Sequence, residues 1–123
     1  MAWLRVSRVA RADLEHILAV SLERWGDDGA ARYRALLSAA LRAIAAAPDG
    51  PTTRDRSRVL PGIRSFHLRH ARADHEVRDP VHVVYYRRAR AGSLEVVRVL
   101  HERMDPALHL EAVARRRRAR RAR

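Results

Sequence analysis

The chain has 123 residues, no cysteine and a formal net charge of +12. This length suits one domain with a modest core, and the lack of cysteine excludes a disulfide scaffold, a cysteine-based zinc site and a cysteine nucleophile. All 26 basic residues are arginine, and seven of them lie in 115–123, which contains no acidic residue. Without those seven, 19 arginines face 14 acidic residues, so the body is only moderately basic.

Residues 1–6 lack the basic-then-apolar order of a signal peptide. No apolar run approaches the roughly 20 residues that a membrane helix needs. We therefore expect a cytoplasmic protein without membrane contact. The positive charge favours polyanionic partners.

The first half of the chain predicts a strand and two helices. Residues 3–6 form a short strand, and Ser7 supplies a helix N-cap. Apolar residues then recur at helical spacing as far as Trp25, where Gly26 ends the helix, and a second stripe continues to Pro48. The short connection predicts an antiparallel helical hairpin.

The second half predicts three strands after a loop over 48–61. The strands are runs rich in β-branched and aromatic residues: 62–70, 81–88 and 94–105. The connection over 71–80 is long and charged, whereas 90–93 is an ordinary turn. Asp105 and Pro106 are typical of the start of a short helix.

The order of elements is β-α-α-β-β-β, which indicates an α+β fold. Because the hairpin must bury its apolar stripe against the sheet, we predict an N-terminal strand and an antiparallel helical hairpin packed on a small antiparallel sheet. A short C-terminal helix follows the last strand. Residues 96, 97, 99 and 100 are all apolar, which predicts a last strand covered on both faces.

Several motifs occur in an order and spacing that carry a resemblance. They are Ala12-Asp-Leu14 with Ile17, Trp25-Gly26, Tyr33 with Leu37 and Leu41, Pro48, Gly62-Ile-Arg-Ser65, Val84-Tyr-Tyr-Arg87, and Val97-Arg-Val-Leu-His-Glu-Arg-Met-Asp105 followed by His109-Leu110. From residue 6 to about 110 the chain resembles the RelE/ParE family of toxins from bacterial type II toxin–antitoxin systems. The last motif is more similar to the ParE branch. Residues 1–110 would form the toxin domain and 111–123 a basic tail.

The resemblance implies a small toxin that a cognate antitoxin neutralises with a flexible segment. ParE-like members are associated with inhibition of DNA gyrase, and RelE-like members cleave mRNA without metal. We expect a toxin that performs no covalent chemistry, uses no cofactor, and binds its antitoxin and DNA gyrase or the gyrase–DNA complex. A RelE-like mRNA endonuclease and a small nucleic-acid-binding module remain alternatives. The connection over 71–80 and the tail depart from the family pattern.

The candidate contacts with the target or antitoxin are Arg64, Tyr86, Arg98, His101 and Arg103. If the protein is a ribonuclease, Arg64, Arg98 and His101 are the catalytic candidates, because the reaction needs proton transfer and cations for the phosphate. In a regular strand Arg98 shares a face with Val96, and His101 points the other way, so a shared site requires a bend or a bulge. The alternative for both arginines is a structural ion pair with a helix carboxylate such as Asp13.

Four histidines lie close together in the sequence: His67, His70, His75 and His82. Without cysteine or a tight set of carboxylates they predict no metal site. We expect Trp3, Trp25 and Tyr33 in the core, and Tyr85 and Tyr86 on opposite faces of their strand, with one of them on a partner-binding surface. The arginine tail is expected to be a solvated end, with non-specific contact to nucleic acid as the sharper hypothesis.

Overall fold

The computed structural model describes residues 3–74, 77–111 and 113. Its main elements are β1 (Leu4–Val6), α1 (Arg8–Ala46), β2 (Thr53–Asp55), β3 (Ile63–His67), β4 (His82–Arg88) and β5 (Leu94–His101). Short 3₁₀ turns cover Leu68–Asp74 and Arg90–Gly92, and a short helix, α2, covers 106–111. The predicted α+β class, with an N-terminal strand and a short helix after the last strand, is confirmed.

The five strands form one mixed sheet in the order β1-β5-β4-β3-β2. Neighbours from β2 to β5 run antiparallel, and β1 runs parallel to β5, with Leu4 opposite Leu94. Two details of the prediction are therefore wrong: the sheet is not purely antiparallel, and the loop over 48–61 contains the strand β2. The strand β2 reads Thr-Arg-Asp, which lacks the apolar alternation that marks a strand in a sequence.

The helical region α1 is broken at Gly26, where φ is 75° and ψ is −171°. This backbone conformation is almost confined to glycine. An unbroken helix of 39 residues would extend for about 58 Å, about twice the length of the longest strand. The break lets the second half of α1 return along the sheet.

Contacts at its ends show that α1 is an antiparallel hairpin. The N-cap residue Ser7 donates its backbone N–H to the carbonyl of Val96 in β5. Tyr86 lies opposite Val96 in the sheet. Its hydroxyl donates a hydrogen bond to the carbonyl of Pro48, just after α1. Both ends of α1 therefore lie at one end of the sheet. The middle of α1 contacts the other end through Tyr33.

The sheet is covered on both faces. On the inner face, α1 and the sheet share a core that includes Ile17, Leu36, Ile44, Phe66, Val84, Tyr86, Leu94, Val96 and Val99. On the outer face a smaller cluster contains Leu60, Ile63, Tyr85, Val97, Leu100 and Leu110, with Val113 packed against it. On β5, part of the outer cover comes from the chain's own α2.

A β-bulge interrupts β5. Tyr85 lies opposite Arg98 and Tyr86 lies opposite Val96, so Val97 has no opposite residue. Val96 therefore packs in the inner core while its neighbour Val97 packs in the outer cluster. This bulge lies before Arg98, so it separates Arg98 from the face of Val96 but still leaves Arg98 and His101 on opposite faces.

Two tryptophans lie outside the core, contrary to the prediction. Trp3 is 78% exposed and Trp25 is 60% exposed, whereas Tyr33 is only 6% exposed. Trp25 directly precedes the break at Gly26, and Trp3 precedes the edge strand β1. Both indoles therefore sit where elements end and no neighbouring layer covers them.

The packed chain continues past residue 110, where the predicted tail begins, because Val113 contacts the outer cluster. The arginines of 115–123 lie outside the described residues, and so do residues 75–76 of the long connection. Within the described ranges, no helix is long and apolar enough to cross a membrane.

Candidate functional site

Arg98 joins three elements. It lies two residues after Val96, the last β5 residue that pairs with β1. At this position β1 no longer covers the edge of β5, and α1 can reach it. Its Nε and Nη2 donate to the two carboxylate oxygens of Asp13 at 2.8 and 2.9 Å, and Nη1 donates to the carbonyl of His109 at 3.1 Å. Asp13 also accepts the backbone N–H of Val99 at 2.9 Å. The structural ion pair that the sequence suggested is present.

The Arg98–Asp13 pair is largely shielded from water. The two side chains are 19% and 14% exposed, and the pairing is bidentate, which makes it stronger and more directional than a single hydrogen bond. The guanidinium of Arg98 is therefore committed to holding α1 and α2 on β5. It is not a free cation for a substrate.

Arg64 lies in β3, near the end of α1. Its Nη2 donates to Oγ1 of Thr53 at 2.7 Å, and its Nε is 3.6 Å from the carboxylate of Asp49. Asp49 also pairs with Arg88. Arg64 therefore has its own partners at this end of the sheet, and none of them is a histidine.

A cleft of about 280 Å³ opens beside Arg64. Its lining includes Asp49, Asp55, Tyr86, Arg87 and Arg88. Each arginine of the cleft has a carboxylate neighbour. Arg64 and Arg88 pair with Asp49, and Arg87 donates to Glu95 at 2.8 Å. The cleft is polar but its charges are internally matched.

Tyr85 and Tyr86 lie on opposite faces of β4, as predicted, but both are buried. Tyr85 is 3% exposed in the outer cluster and Tyr86 is 1% exposed in the inner core. Burial raises the pKa of Tyr86, so its hydroxyl keeps its proton and donates to Pro48. The expectation that one of the two lies on a partner-binding surface does not fit the isolated chain.

A group of titratable side chains lies at the other end of the sheet. His82 and His101 are opposite each other, with ring centroids 5.7 Å apart, and the hydroxyl of Tyr33 is 2.5 Å from Nδ1 of His82. Nε2 of His67 lies 2.6 Å from the carboxylate oxygen Oε2 of Glu102. Burial, with help from His101 and His67, lowers the pKa of His82 to about 4, and burial raises the pKa of Tyr33 to about 12.

Hydrogen bonds assign the proton on each of these imidazoles. Nδ1 of His67 and Nδ1 of His101 each accept the backbone N–H two residues further along, at 3.1 Å. Nδ1 of His82 faces the protonated hydroxyl of Tyr33. A nitrogen that accepts a hydrogen bond carries no proton, so each neutral ring carries it on Nε2. The three rings therefore present hydrogen-bond donors at Nε2.

The structure does not bring the three ribonuclease candidates together. Arg64 lies opposite Tyr86 and His101 lies opposite His82, so four steps along β4, about 13 Å, separate them. The remaining contact candidate, Arg103, is exposed and follows His101 by two residues. Among the described residues, no group of three or more histidines and carboxylates is placed to hold a metal ion.

Sequence reasoning missed two contacts, the pairing of Tyr33 with His82 and the hydrogen bond between His67 and Glu102. The alternation of 82, 84 and 86 places His82 on the inner face with the core residues, which is a signal present in the sequence. The partner Tyr33 is 49 positions away, and no local pattern connects them.

Comparisons with known proteins agree with this fold. The family model described as "ParE toxin of type II toxin-antitoxin system, parDE" matches residues 4–106. The chain is 35% identical over 100 residues to Toxin ParE1 of Mycobacterium tuberculosis (strain CDC 1551 / Oshkosh), covering 81% of this chain and 89% of that one. It is 36% identical over 107 residues to Toxin ParE1 of Caulobacter vibrioides, covering 86% and 95%.

A solved structure titled "Chromosomal ParDE TA system from P. aeruginosa" contains a chain with the same fold, at a TM-score of 0.60 and 19% identity. The match covers 82% of this chain and 96% of that one. With the family model spanning most of the sequence and two curated relatives above 30% identity, the chain belongs to the ParE toxin family of type II toxin–antitoxin systems.

Proposed function

We propose that this ParE toxin inhibits DNA gyrase in the cytoplasm by binding the enzyme or its complex with DNA, without covalent chemistry. The observation that carries the proposal is the engagement of Arg98. Its guanidinium is held by Asp13 and by the carbonyl of His109, so it is not free to stabilise the phosphate of a cleaved RNA. Family membership is consistent with this mechanism.

We further propose that a cognate antitoxin neutralises the toxin by covering exposed apolar side chains. Among the residues that the structure describes, the large exposed apolar side chains are Trp3, Leu22, Trp25, Met104 and Leu108. Leu22 and Trp25 lie in the first half of α1, and Leu108 lies in α2. A partly disordered, acidic antitoxin segment would bury such residues and pair with neighbouring arginines. The solved ParDE system supports an antitoxin partner for the family.

The test is a gyrase supercoiling and DNA-cleavage assay with the purified full chain. We expect inhibition of supercoiling, or accumulation of cleaved DNA, and we expect the cognate antitoxin to abolish both effects. A matched control is the toxin mixed with its antitoxin before gyrase is added. A folded toxin that leaves both activities unchanged would contradict the proposal.

A second candidate is metal-independent mRNA cleavage, which the histidine group at the end of β4 and β5 favours. His101 and Glu102 are adjacent, and His67 and His82 lie within contact distance of them. The substitution His101→Ala would then abolish RNA cleavage on ribosomes while the circular dichroism spectrum stays unchanged. Arg64→Ala and Arg98→Ala complete the series, with Arg98→Ala also expected to lower stability.

A further inference from the structure

A group of basic side chains surrounds the β2 edge of the sheet. We call Arg54, Arg56, Arg69 and His70 the β2–β3 basic cluster. Arg54 lies opposite Ser65, which in turn lies opposite Tyr85 of the outer cluster, so Arg54 projects from the outer face. The guanidinium of Arg56 lies 6.0 Å from the Tyr85 ring on the same face.

The 3₁₀ turn after β3 completes the cluster. The backbone N–H of Arg69 donates to His67, and the His70 ring packs edge-on against Phe66 at 5.9 Å. These contacts hold the turn against the end of β3. Arg54, Arg69 and His70 are all exposed, so they form an accessible surface.

The charges of this cluster are not matched as those elsewhere in the sheet are. Arg64, Arg87, Arg88 and Arg98 each lie beside a carboxylate. Within the described ranges, none of the arginines at positions 54, 56, 58 and 69 forms an ion pair. Grouped like charges repel one another unless a counter-ion is bound.

Arg56 is held against the sheet in a different way from the other members of the cluster. Its Nε is buried and has no hydrogen-bond partner in the part of the chain that the structure describes, so this atom is not accessible to a ligand from outside. The exposed arginines of the cluster are the ones that can bind a phosphate oxygen, which a planar guanidinium binds well.

We propose that the β2–β3 basic cluster binds the phosphate backbone of duplex DNA. The biological role of this contact rests on the proposed function: when the toxin acts on the gyrase–DNA complex, the cluster would contact the DNA of that complex. Arg54 and Arg69 come from two different segments, β2 and the turn after β3, and both are exposed. Exposed cations on adjacent segments suit a polymer with a repeating charge.

The distribution of exposed apolar residues favours DNA over an acidic protein. Protein interfaces depend on buried apolar and aromatic anchors. The large exposed apolar residues of the described chain lie before β1, in α1, and after β5, and none lies in β2, β3 or the adjoining turn. The cluster offers charge without anchors, which matches backbone recognition of nucleic acid.

The first test is the salt dependence of binding between the full chain and a short duplex. Each lost phosphate contact reduces the slope of log K against log salt by about 0.9. We expect the double substitution Arg54→Gln/Arg69→Gln to make the slope shallower by about 1.8. The matched control Arg11→Gln/Arg24→Gln, which removes two exposed arginines of α1, should leave it unchanged. Equal slopes for the two double variants would overturn the proposal.

The second test follows His70 by NMR, because this ring is itself a member of the cluster. Its pKa is lowered by packing against the protein, and next by Arg69, His67 and Arg54. A phosphate bound at the cluster would favour the imidazolium, so the pKa of His70 should rise when duplex is added. Binding without such a rise would overturn the proposal. A larger rise with poly-glutamate would assign the surface to an acidic protein and also overturn it.

The gyrase assay separates the two proposals. Gyrase inhibition by the wild-type toxin, together with equal slopes for the two double variants, means that only the DNA contact is wrong. A shallower slope for Arg54→Gln/Arg69→Gln without gyrase inhibition means that the cluster binds DNA and that the proposed target is wrong.

Discussion

At the scale of single residues, Asp13 links α1 to β5 through more hydrogen bonds than the sequence motifs indicated. Its carboxylate receives two bonds from Arg98 and one from the backbone of Val99. The last of these satisfies a backbone donor on the part of β5 that β1 does not reach. A short side chain on α1 therefore replaces the missing neighbour strand.

Replacing Asp13 by alanine should lower the free energy of unfolding by about 2 to 3 kcal/mol. The substitution leaves the shielded guanidinium of Arg98 and the N–H of Val99 without their acceptor, and such orphaned groups are costly. Urea denaturation measures the loss. The control is Arg5→Ala, which removes a 3.5 Å pair with Glu95 in which Arg5 is 64% exposed, and it should cost less than about 1 kcal/mol. Equal losses would contradict this account.

The partly buried His82 predicts a loss of stability in weakly acidic solution. Its pKa is about 4 in the folded chain against an ordinary 6.5, so the unfolded chain binds the proton more readily between these values. The free energy of unfolding therefore falls as the pH drops from 6.5 to 4. Allowing for partial exposure, the loss is about 2 kcal/mol.

Urea denaturation between pH 7 and pH 4.5 tests this, with His82→Gln as the variant that cannot titrate. The wild type should lose more stability than the variant over this range. The effect of His70 on stability is the same in both proteins and cancels in the comparison. The lowered pKa of Glu102 changes the stability mainly below its ordinary value of 4.5, which is outside this pH range. Parallel pH profiles would rule out His82 as the cause.

At the scale of elements, α2 determines what the outer face of the sheet can do. Leu110 is 1% exposed in the outer cluster, whereas Leu108, two residues earlier, is 68% exposed. A helix as short as α2 is not stable by itself. Its position therefore depends on the packing of Leu110 against the sheet.

The substitution Leu110→Ala should lower the free energy of unfolding by about 3 kcal/mol, because it leaves a cavity over β5. The matched substitution Leu108→Ala should change it by less than about 0.5 kcal/mol, because its side chain is mostly exposed. Thermal or urea denaturation of the two variants makes the comparison. Similar values would mean that α2 does not contribute to the folded core.

The sequence pattern predicted the helical hairpin more accurately than it predicted the sheet. Gly26 and Pro48 mark the ends of the two halves of α1 in the sequence, and the structure agrees with both. Strand β5 was recognised as an element, but its regular alternation failed at the bulge beside Val97. A bulge adds one residue to a strand, and only the opposite strand shows where.

At the scale of the whole molecule, most of the excess positive charge lies in the tail. A chain ending at Ala114 should bind duplex DNA more weakly, with a salt dependence shallower by up to about 6 for the seven lost arginines. Its inhibition of gyrase should persist, because the family match spans only residues 4–106. Filter binding and the supercoiling assay measure the two quantities. Unchanged DNA binding would show that the tail makes no contact.

Local patterns in the sequence were enough to predict the α+β class, the helical hairpin, the three longer strands and the resemblance to ParE toxins. Apolar periodicity and the residues that end helices report directly on each element. The same information suggested an ion pair for Arg98 and named Asp13 as an example of its partner. Trp3 and Trp25 were misplaced because periodicity shows that a face is apolar, not whether a neighbour covers it.

Only the tertiary structure decided how distant residues meet. It brought Asp13 to Arg98 across 85 positions and Tyr33 to His82 across 49, made β1 parallel to β5, and kept Arg64 away from His101. These pairings depend on the path of the chain through the hairpin and on the bulge in β5. Each changes which side chains share a face without leaving a repeating signal in the sequence.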